Sequence, residues 1–313
     1  MKNIINNINK YYNKLIGIKH KFNNPSDIAV GSDGIFYITD TYNHVICKIS
    51  EDGDIEVYAG KIGVSGYNNG SRLDATFNKP RGITIDSNNN LFIADSSNNI
   101  IRRIDVNGIV TTLAGTAGVK GQNDGNGINS FFNNPIGITI SKDNVIYIAD
   151  TGNCLIRKIT TNLDVITIAG KYMIGKSDFA DGLGPNARFS YPYGITIDDN
   201  NNLYIADTLN HSVRMITPDS NVSTVAGTNI IGNTNGPSKE ARFNDPTGIK
   251  VYKNNIYITD KHNNSVKLIN SDGQVSSINI PDLLHPNGLI IYNNNIIIID
   301  GKKGIIKQPL NFN

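Results

Sequence analysis

The sequence predicts an all-β fold, a six-bladed β-propeller made of four-stranded antiparallel blades. The first observation is a Phe-x-x-Pro motif that recurs about every 55 residues, and the second is an aspartate that closes an apolar run about 15 residues after each proline. The six prolines are Pro25, Pro80, Pro135, Pro192, Pro246 and Pro286. A unit that cannot bury its own apolar faces must stack on copies of itself, so six units predict six blades.

Composition is the third observation. The chain has 30 Gly, 14 Tyr and no Trp, with many Ile and Asn residues, which favours strands joined by turns. The net charge of +2 is too small to indicate a nucleic-acid or membrane partner by bulk electrostatics, and no apolar run is long enough to cross a membrane. Cys47 and Cys154 lie at different phases of different units, so we expect no disulfide and a reducing compartment. Because residues 1–12 contain no apolar signal core, we expect a cytoplasmic location. We also expect a monomer.

Each unit is predicted to contain four strands, A to D. In unit two they fall at residues 82–85, 91–94, 100–104 and 110–114, separated by polar turns. Strands B and C are almost continuously apolar, which is typical of a sheet buried on both faces. Alternating strand direction places the D-to-A and B-to-C connections on one face, which we call the top face.

The sixth unit has only three strands of its own. Residues 14–18 precede Pro25 much as residues 275–280 precede Pro286. We therefore expect an N-terminal strand to complete blade six and close the ring, which removes open sheet edges. Residues 13–313 are predicted to form one propeller domain, after a polar tail, residues 1–12, for which disorder is the expectation.

Several residue types keep fixed offsets within the units. In unit three they are Ala149-Asp150, Asn153, the run Ile-Arg-Lys-Ile at 156–159 and Ile-Ala-Gly at 168–170. Together they resemble the NHL repeat family of six-bladed propellers, over residues 13–313. Blade six departs most, because its segment 300–303 lacks the usual Asn-His pair. The resemblance implies an interaction module, the role of many NHL propellers.

A residue type that recurs in every unit solves a problem of every blade and is predicted to be structural. This applies to six aspartates that end strand B, which we expect to pin turns and to pair with Arg or Lys of strand C. They are Asp40, Asp95, Asp150, Asp207, Asp260 and Asp300, with Arg102, Arg157, Arg214 and Lys267. His44 and His211 occupy equivalent positions of opposite blades, so we expect no three-histidine zinc site like that of the amidating lyase related to this family.

Asx-Gly pairs in the long loops are predicted to form turns, because they lack the alternating oxygen ligands of a calcium loop. They are Asn69-Gly70, Asp124-Gly125, Asp181-Gly182 and Asn235-Gly236. We find no catalytic constellation and expect no cofactor and no metal.

The candidate binding residues lie where the units differ. Four D-to-A connections are long, and the residue after each proline starts the strand nearest the axis, so six such residues should ring the channel mouth. They are Ser26, Arg81, Ile136, Tyr193, Thr247 and Asn287, with Asp27 in place of the usual glycine of blade one. We expect Arg81, Tyr193, Asp27, Thr247 and Asn287 to contact a ligand or partner.

The sequence favours a non-catalytic scaffold that binds a protein or peptide through the top face. Single-stranded RNA binding on the same face is the alternative, because NHL domains fused to tripartite motifs bind RNA. The positive charge of the top face is modest, because the D-to-A connections add little and the main further contributions are Lys261, Lys302 and Lys303. The second alternative is a metal-dependent hydrolase or lyase at the channel mouth, which the fold alone does not establish.

Overall fold

The chain folds into a ring of six antiparallel sheets around a central channel, which confirms the predicted six-bladed propeller. The computed structural model describes residues 21–49, 53–172 and 178–310. In every blade strand A is innermost and the later strands follow outward in chain order. Strand B is paired along its whole length with strand C, as in Ile146↔Ile159 through Asp150↔Leu155 of blade three.

The strands have the following bounds. Blade one contains Pro25–Val30, Phe36–Asp40, Val45–Ile49 and Ile55–Ala59. Blade two contains Pro80–Ile85, Leu91–Asp95, Ile100–Ile104 and Ile109–Ala114. Blade three contains Ile138–Ile140, Ile146–Asp150, Leu155–Ile159 and Asp164–Gly170. Blade four contains Pro192–Ile197, Leu203–Asp207, Ser212–Ile216 and Asn221–Ala226. Blade five contains Pro246–Tyr252, Asn255–Asp260, Ser265–Ile269 and Gln274–Ile278. Blade six contains Pro286–Tyr292, Asn295–Asp300 and Gly304–Pro309.

Blades two to five have a short fifth strand outside strand D, which the sequence did not predict. These strands are Gly70–Ser71, Gly125–Asn126, Gly182–Leu183 and Gly236–Pro237. Each begins at the glycine of an Asx-Gly pair, so every long loop crosses the outer edge of the blade that it enters. The extra strand covers part of the exposed edge of strand D.

Short 3-10 helices occur in the connections on the top face. Those between strands B and C of blades one to five are Thr41–Asn43, Ser96–Asn98, Thr151–Asn153, Thr208–Asn210 and Lys261–Asn263. Two others, Gly127–Asn129 and Gly184–Asn186, lie where two of the long loops reach the C-to-D turns on the opposite face.

The hydrophobic core is divided into six clusters, one at each interface between neighbouring blades. The cluster between blades two and three, for example, joins Phe92 and Ala94 to Phe132 and Ile148. The phenylalanine of each complete Phe-x-x-Pro motif in blades two to five is buried in such a cluster. Burial from both sides explains why strands B and C carry no polar face.

The ring is closed between blades six and one by side-chain packing of the inner strands. Their shared cluster contains Ile28, Ile38, Ile290 and Ile299, all less than a tenth exposed. The predicted closing strand, residues 14–18, and the tail, residues 1–12, lie outside the described residues. None of the helices in the described ranges is long and apolar enough to span a membrane.

Candidate functional site

The top face is organised by a polar cluster that recurs at the end of strand B. In blade three Asp150 accepts hydrogen bonds from the Asn153 side chain over 2.7 Å and from the Asn133 backbone over 2.9 Å. The following residue, Cys154, has a left-handed backbone that turns the chain into strand C. The aspartate thus fixes both top connections, as the sequence predicts for a structural residue.

Fully buried cations of strand C complete this cluster in blades two, three and four. Arg157 donates to Asp150 over 2.9 Å, and its guanidinium lies 5.2 Å from the centre of the Phe132 ring. Arg102 and Arg214 donate to Asp95 and Asp207 over 3.0 and 2.7 Å. The predicted pairing is therefore confirmed for these three arginines. Lys267 of blade five instead donates to Asn235 over 2.9 Å.

The same cations fasten the long loops, a role that the sequence analysis missed. Arg157 donates over 2.7 Å to Asp124 and over 3.1 Å to the Asn123 carbonyl, both in the loop that enters its blade. Each of these cations binds the Asx residue of an Asx-Gly pair, and the spacing could have revealed it. The separations are 33 residues for Arg102–Asn69, Arg157–Asp124 and Arg214–Asp181, and 32 for Lys267–Asn235.

Burial is the main influence on the pKa of four of the aspartates that end strand B. Burial raises the pKa of Asp95, Asp150, Asp207 and Asp260 to about 6, against the opposing effect of their hydrogen-bond donors. Asp300 differs: burial is outweighed by four backbone N–H donors, so its pKa lies below the usual value. These carboxylates are buried and hydrogen-bonded to the scaffold, so they are not available to bind a ligand.

Histidines at the start of strand C act as hydrogen-bond acceptors between blades. His44 Nδ1 accepts from the Lys79 backbone over 3.1 Å, and His211 Nδ1 accepts from the Asp245 backbone over 3.2 Å. Asn99 serves the same purpose in blade two. Burial lowers the pKa of both histidines, in keeping with neutral rings whose Nδ1 accepts. Their predicted structural role is confirmed.

Asp245 lies between two histidines on the top face, an arrangement that the sequence did not suggest. The Asp245 carboxylate is 2.8 Å from His262 Nδ1 and 3.3 Å from His211 Nδ1. The His262 side chain is 52% exposed. A carboxylate that orients an accessible imidazole is a usual arrangement for acid–base chemistry.

The residues after the prolines divide into two groups at the channel mouth. Arg81 of blade two donates to the Tyr193 hydroxyl of blade four over 3.1 Å, so two predicted site residues meet across blade three. Both side chains are partly exposed.

The other four residues after the prolines are almost fully buried, although Ser26, Ile136 and Asn287 still line the channel cavity. Thr247 contacts the Thr259 hydroxyl and the Pro286 and Asn287 carbonyls. Asn287 donates to the Pro25 carbonyl over 2.8 Å. Ser26 and Ile136 are 3% and 1% exposed. The side chains of Thr247 and Asn287 thus connect neighbouring blades.

The channel encloses a cavity of about 350 Å³ lined by strand A of all six blades. Asp27 faces it, and its carboxylate accepts the Ile28 and Ile83 backbone N–H groups over 2.9 and 3.1 Å. Burial raises the pKa of Asp27 to about 6, and the charge of Lys250 opposes this rise. Burial lowers the pKa of Lys250, which the charge of Asp27 opposes. Lys250 is a channel residue that the sequence analysis did not select.

The long loops carry exposed aliphatic side chains, which we call the apolar rim. Ser65 and Lys120 form equivalent bridges to Phe77 and Phe132, so the preceding valines, Val64 and Val119, occupy matching positions. The rim consists of Ile62, Val64, Val119, Ile230 and Ile231, which are 57%, 47%, 42%, 53% and 58% exposed. Repeated exposure of aliphatic side chains on one face indicates a contact surface.

Metal-binding groups are scarce on this surface. Within residues 21–49, 53–172 and 178–310, no three or more His, Cys, Asp or Glu side chains are placed to hold a metal ion. The oxygens of Asp124 and Asp181, considered for calcium above, accept hydrogen bonds from Arg157 and Arg214 instead. Neither Cys47 nor Cys154 forms a disulfide within the described residues.

Comparison with known sequences gives the same repeat. The NHL repeat profile matches residues 22–49, 132–159 and 189–214, and the profile of the teneurin NHL domain matches residues 65–123. NHL repeat-containing protein 2 of Bos taurus is 25% identical over 297 residues, 82% of this chain and 40% of that protein. The chloroplastic protein SUPPRESSOR OF QUENCHING 1 of Arabidopsis thaliana is 31% identical over 212 residues, 64% of this chain and 20% of that protein. The chain thus spans well under half of these relatives.

Solved structures share the fold at low identity. Virginiamycin B lyase of Staphylococcus aureus is 18% identical with a TM-score of 0.58, covering 95% of this chain and 87% of the lyase. A gluconolactonase of Xanthomonas campestris is 14% identical with a TM-score of 0.66, covering 93% and 87%. A chain of a nidogen/laminin complex is 17% identical with a TM-score of 0.61, covering 85% and 84%. At these identities the likeness shows the fold alone.

Proposed function

Because the chain belongs to the NHL-repeat family of six-bladed propellers, we propose that it is a non-catalytic scaffold whose top face binds a protein or peptide. The apolar rim is the observation that carries the proposal. Its five side chains are about half exposed, and burying apolar surface releases roughly 25 cal/mol per Å². A partner that covers the rim would gain this free energy.

The rim is held on fixed loops, which favours binding. Arg102 donates to the Asn68 carbonyl and the Asn69 side chain over 2.8 and 2.9 Å, close to Val64 in the chain. The Arg157 contacts hold the loop that carries Val119 in the same way. Loops that are ordered before association lose less conformational entropy when a partner docks.

The channel mouth contributes the polar part of the proposed surface. Arg81 and Tyr193 present a guanidinium and an aromatic hydroxyl, the residue types that contribute most at protein interfaces. Asp27 lies deeper, within the channel. Thr247 and Asn287 would support the surface indirectly, since they join blades five, six and one.

The comparisons support a binding role without identifying the partner. A propeller of this fold occurs in the nidogen/laminin complex, an assembly of two proteins. The partner, the monomeric state and the cytoplasmic location of the present chain stay predictions.

The test compares partner capture by three proteins in extracts of the native host, with quantitative mass spectrometry. Val64→Ser combined with Ile231→Ser should reduce recovery of a specific partner at least tenfold. Val106→Ser is the matched control, because Val106 is 61% exposed in a strand C-to-D turn on the opposite face. Equal recovery by all three proteins would reject the rim as the binding surface.

A hydrolase or lyase is the second candidate, favoured by the contact between His262 and Asp245 on the top face. Neighbours of this fold include a virginiamycin B lyase and a gluconolactonase. The purified protein is therefore incubated with virginiamycin B and with gluconolactone. Turnover that His262→Ala abolishes supports the candidate, whereas absence of turnover, or turnover unchanged by the substitution, argues against it.

A further inference from the structure

Two positions of the channel wall carry charges that the repeat itself does not require. The second residue after the proline is glycine in five blades and Asp27 in blade one. The fourth is threonine in blades two, three and four and Lys250 in blade five. Because blades without these charges form the same sheets, neither charge is needed to build a blade.

The charges in the channel are not balanced. Among its lining residues only Asp27, Arg81 and Lys250 carry formal charge, one negative and two positive. Asp27 already accepts two backbone hydrogen bonds. Lys250 makes no hydrogen bond to any residue in the described part of the chain, and Arg81 donates only to the Tyr193 hydroxyl there. The cavity therefore holds an excess of positive charge and of hydrogen-bond donors.

Lys250 lies beneath the side of the mouth opposite the Arg81–Tyr193 hydrogen bond. The Arg81–Tyr193 hydrogen bond spans the mouth over blade three. Asp27 and Lys250 lie in blades one and five, which flank blade six on the opposite side. The loop that enters blade six, residues 279–285, is the shortest of the D-to-A connections between described strands. A ligand thus has a route into the channel beside the bridge.

We propose that the channel binds one carboxylate group, carried on a short aliphatic chain and paired with Lys250. A carboxylate supplies negative charge to the cavity and accepts from the Lys250 ammonium group, and charge-assisted hydrogen bonds of this kind are the strongest in proteins. The walls suit an aliphatic chain, because Ile83, Ile138, Ile195 and Ile249 line the same cavity. A volume of about 350 Å³ is at the lower end of ligand pockets.

The carboxylate can come from a free aliphatic acid or from the C-terminus of a peptide. This inference does not depend on the proposed rim function, because Lys250 and the cavity lie below the loops. A protein whose rim is altered by Val64→Ser and Ile231→Ser should bind the carboxylate as the wild type does.

The probe is hexanoate, with hexanol as the uncharged analogue, and binding is measured by isothermal titration calorimetry. Hexanoate should bind with at least tenfold higher affinity than hexanol. Lys250→Thr should remove this preference without lowering the melting temperature, because threonine is the residue of blades two to four. Lys250→Arg, which keeps the charge, should retain most of the preference for hexanoate over hexanol.

A second arm distinguishes the two sources of carboxylate. A leucine-rich pentapeptide is titrated with a free C-terminus and with an amidated one. Binding of hexanoate alone identifies a small acid, whereas binding of the free peptide but not the amide identifies a chain end. Failure of both carboxylates to bind, or binding that Lys250→Thr leaves unchanged, overturns the proposal.

Discussion

Removal of Arg157 should show that one buried cation supports both a blade and a surface loop. Arg157→Met keeps much of the aliphatic volume but leaves Asp150 in the interior without its counter-charge. Both side chains are fully buried, and breaking such a pair costs about 3–5 kcal/mol of the free energy of unfolding. Losing the bonds to the Phe131 and Asn123 carbonyls acts in the same direction.

The control lies on the same strand. Lys158→Met removes the same charge from the next residue, which is only partly buried, so the expected cost is within about 0.5 kcal/mol. Asp124→Asn affects the half-exposed end of the Arg157 network and should cost about 1 kcal/mol. Urea unfolding followed by circular dichroism measures all three variants at matched pH.

Limited proteolysis gives a second measurement at the loop itself. Lys120 is an exposed trypsin site in the loop that Arg157 fastens. Cleavage after Lys120 should accelerate in Arg157→Met and stay at the wild-type rate in Lys158→Met. The reasoning is refuted if Arg157→Met destabilises the fold no more than Lys158→Met does, or if Asp124→Asn costs more than Arg157→Met.

Three further predictions concern the channel and the top face. Because burial raises the pKa of Asp27 from 3.8 to about 6, its stabilising contribution is fully present below about pH 4 and is lost as pH rises through 6. The free energy of unfolding of the wild type relative to Asp27→Asn should therefore fall by about 1–2 kcal/mol between pH 4.5 and 7.5, and parallel pH curves would contradict this. Gly137→Ala should cost about 3 kcal/mol, since the new methyl would overlap the Tyr193 carbonyl oxygen. The nearest atoms to the methyl of Gly232→Ala are side-chain atoms of Arg242, so that variant should cost less, and equal melting temperatures would argue against the close approach at Gly137. His44→Asn should be tolerated, because Asn99 accepts the equivalent hydrogen bond in blade two. His44→Leu removes the acceptor of the Lys79 N–H and should lower the free energy of unfolding in urea by about 1–2 kcal/mol. An equal cost for both variants would refute the acceptor role.

The fold was predictable from sequence because each blade repeats the same burial problem. Apolar strands B and C, turn residues and the Phe-x-x-Pro motif recur at one period. A strand pattern that arises by chance in one unit is therefore recognised because the other units lack it. Strand C of blade two was predicted at its observed bounds, Ile100–Ile104. The outer strands were missed, because two-residue pairings such as Gly70–Ser71 have no alternation to detect.

The site was less predictable because side-chain direction is not fixed by position in the repeat. The residues after the prolines share one backbone location, yet Thr247 and Asn287 enter blade interfaces while Arg81 and Tyr193 reach across the mouth. Threonine and asparagine find carbonyl partners between the inner strands, whereas Arg81 and Tyr193 hydrogen-bond to each other. Lys250 was overlooked because it lies four residues beyond the proline, whereas the candidate residues were chosen from the first two positions after it.

Departure from the repeat is therefore informative only when the local environment does not already explain it. Thr247 departs from its counterparts, but its hydroxyl hydrogen-bonds to neighbouring groups, so its identity is accounted for by packing. Asp27 is partly accounted for in the same way, since it binds the Ile83 N–H of the next blade. Lys250 has no such account: its ammonium group is desolvated, which costs free energy, and no hydrogen bond within the described residues offsets that cost. Lys250, whose charge the blade does not need and whose ammonium group has no hydrogen-bond partner among the described residues, is the residue of this channel for which a ligand is the simplest physical explanation.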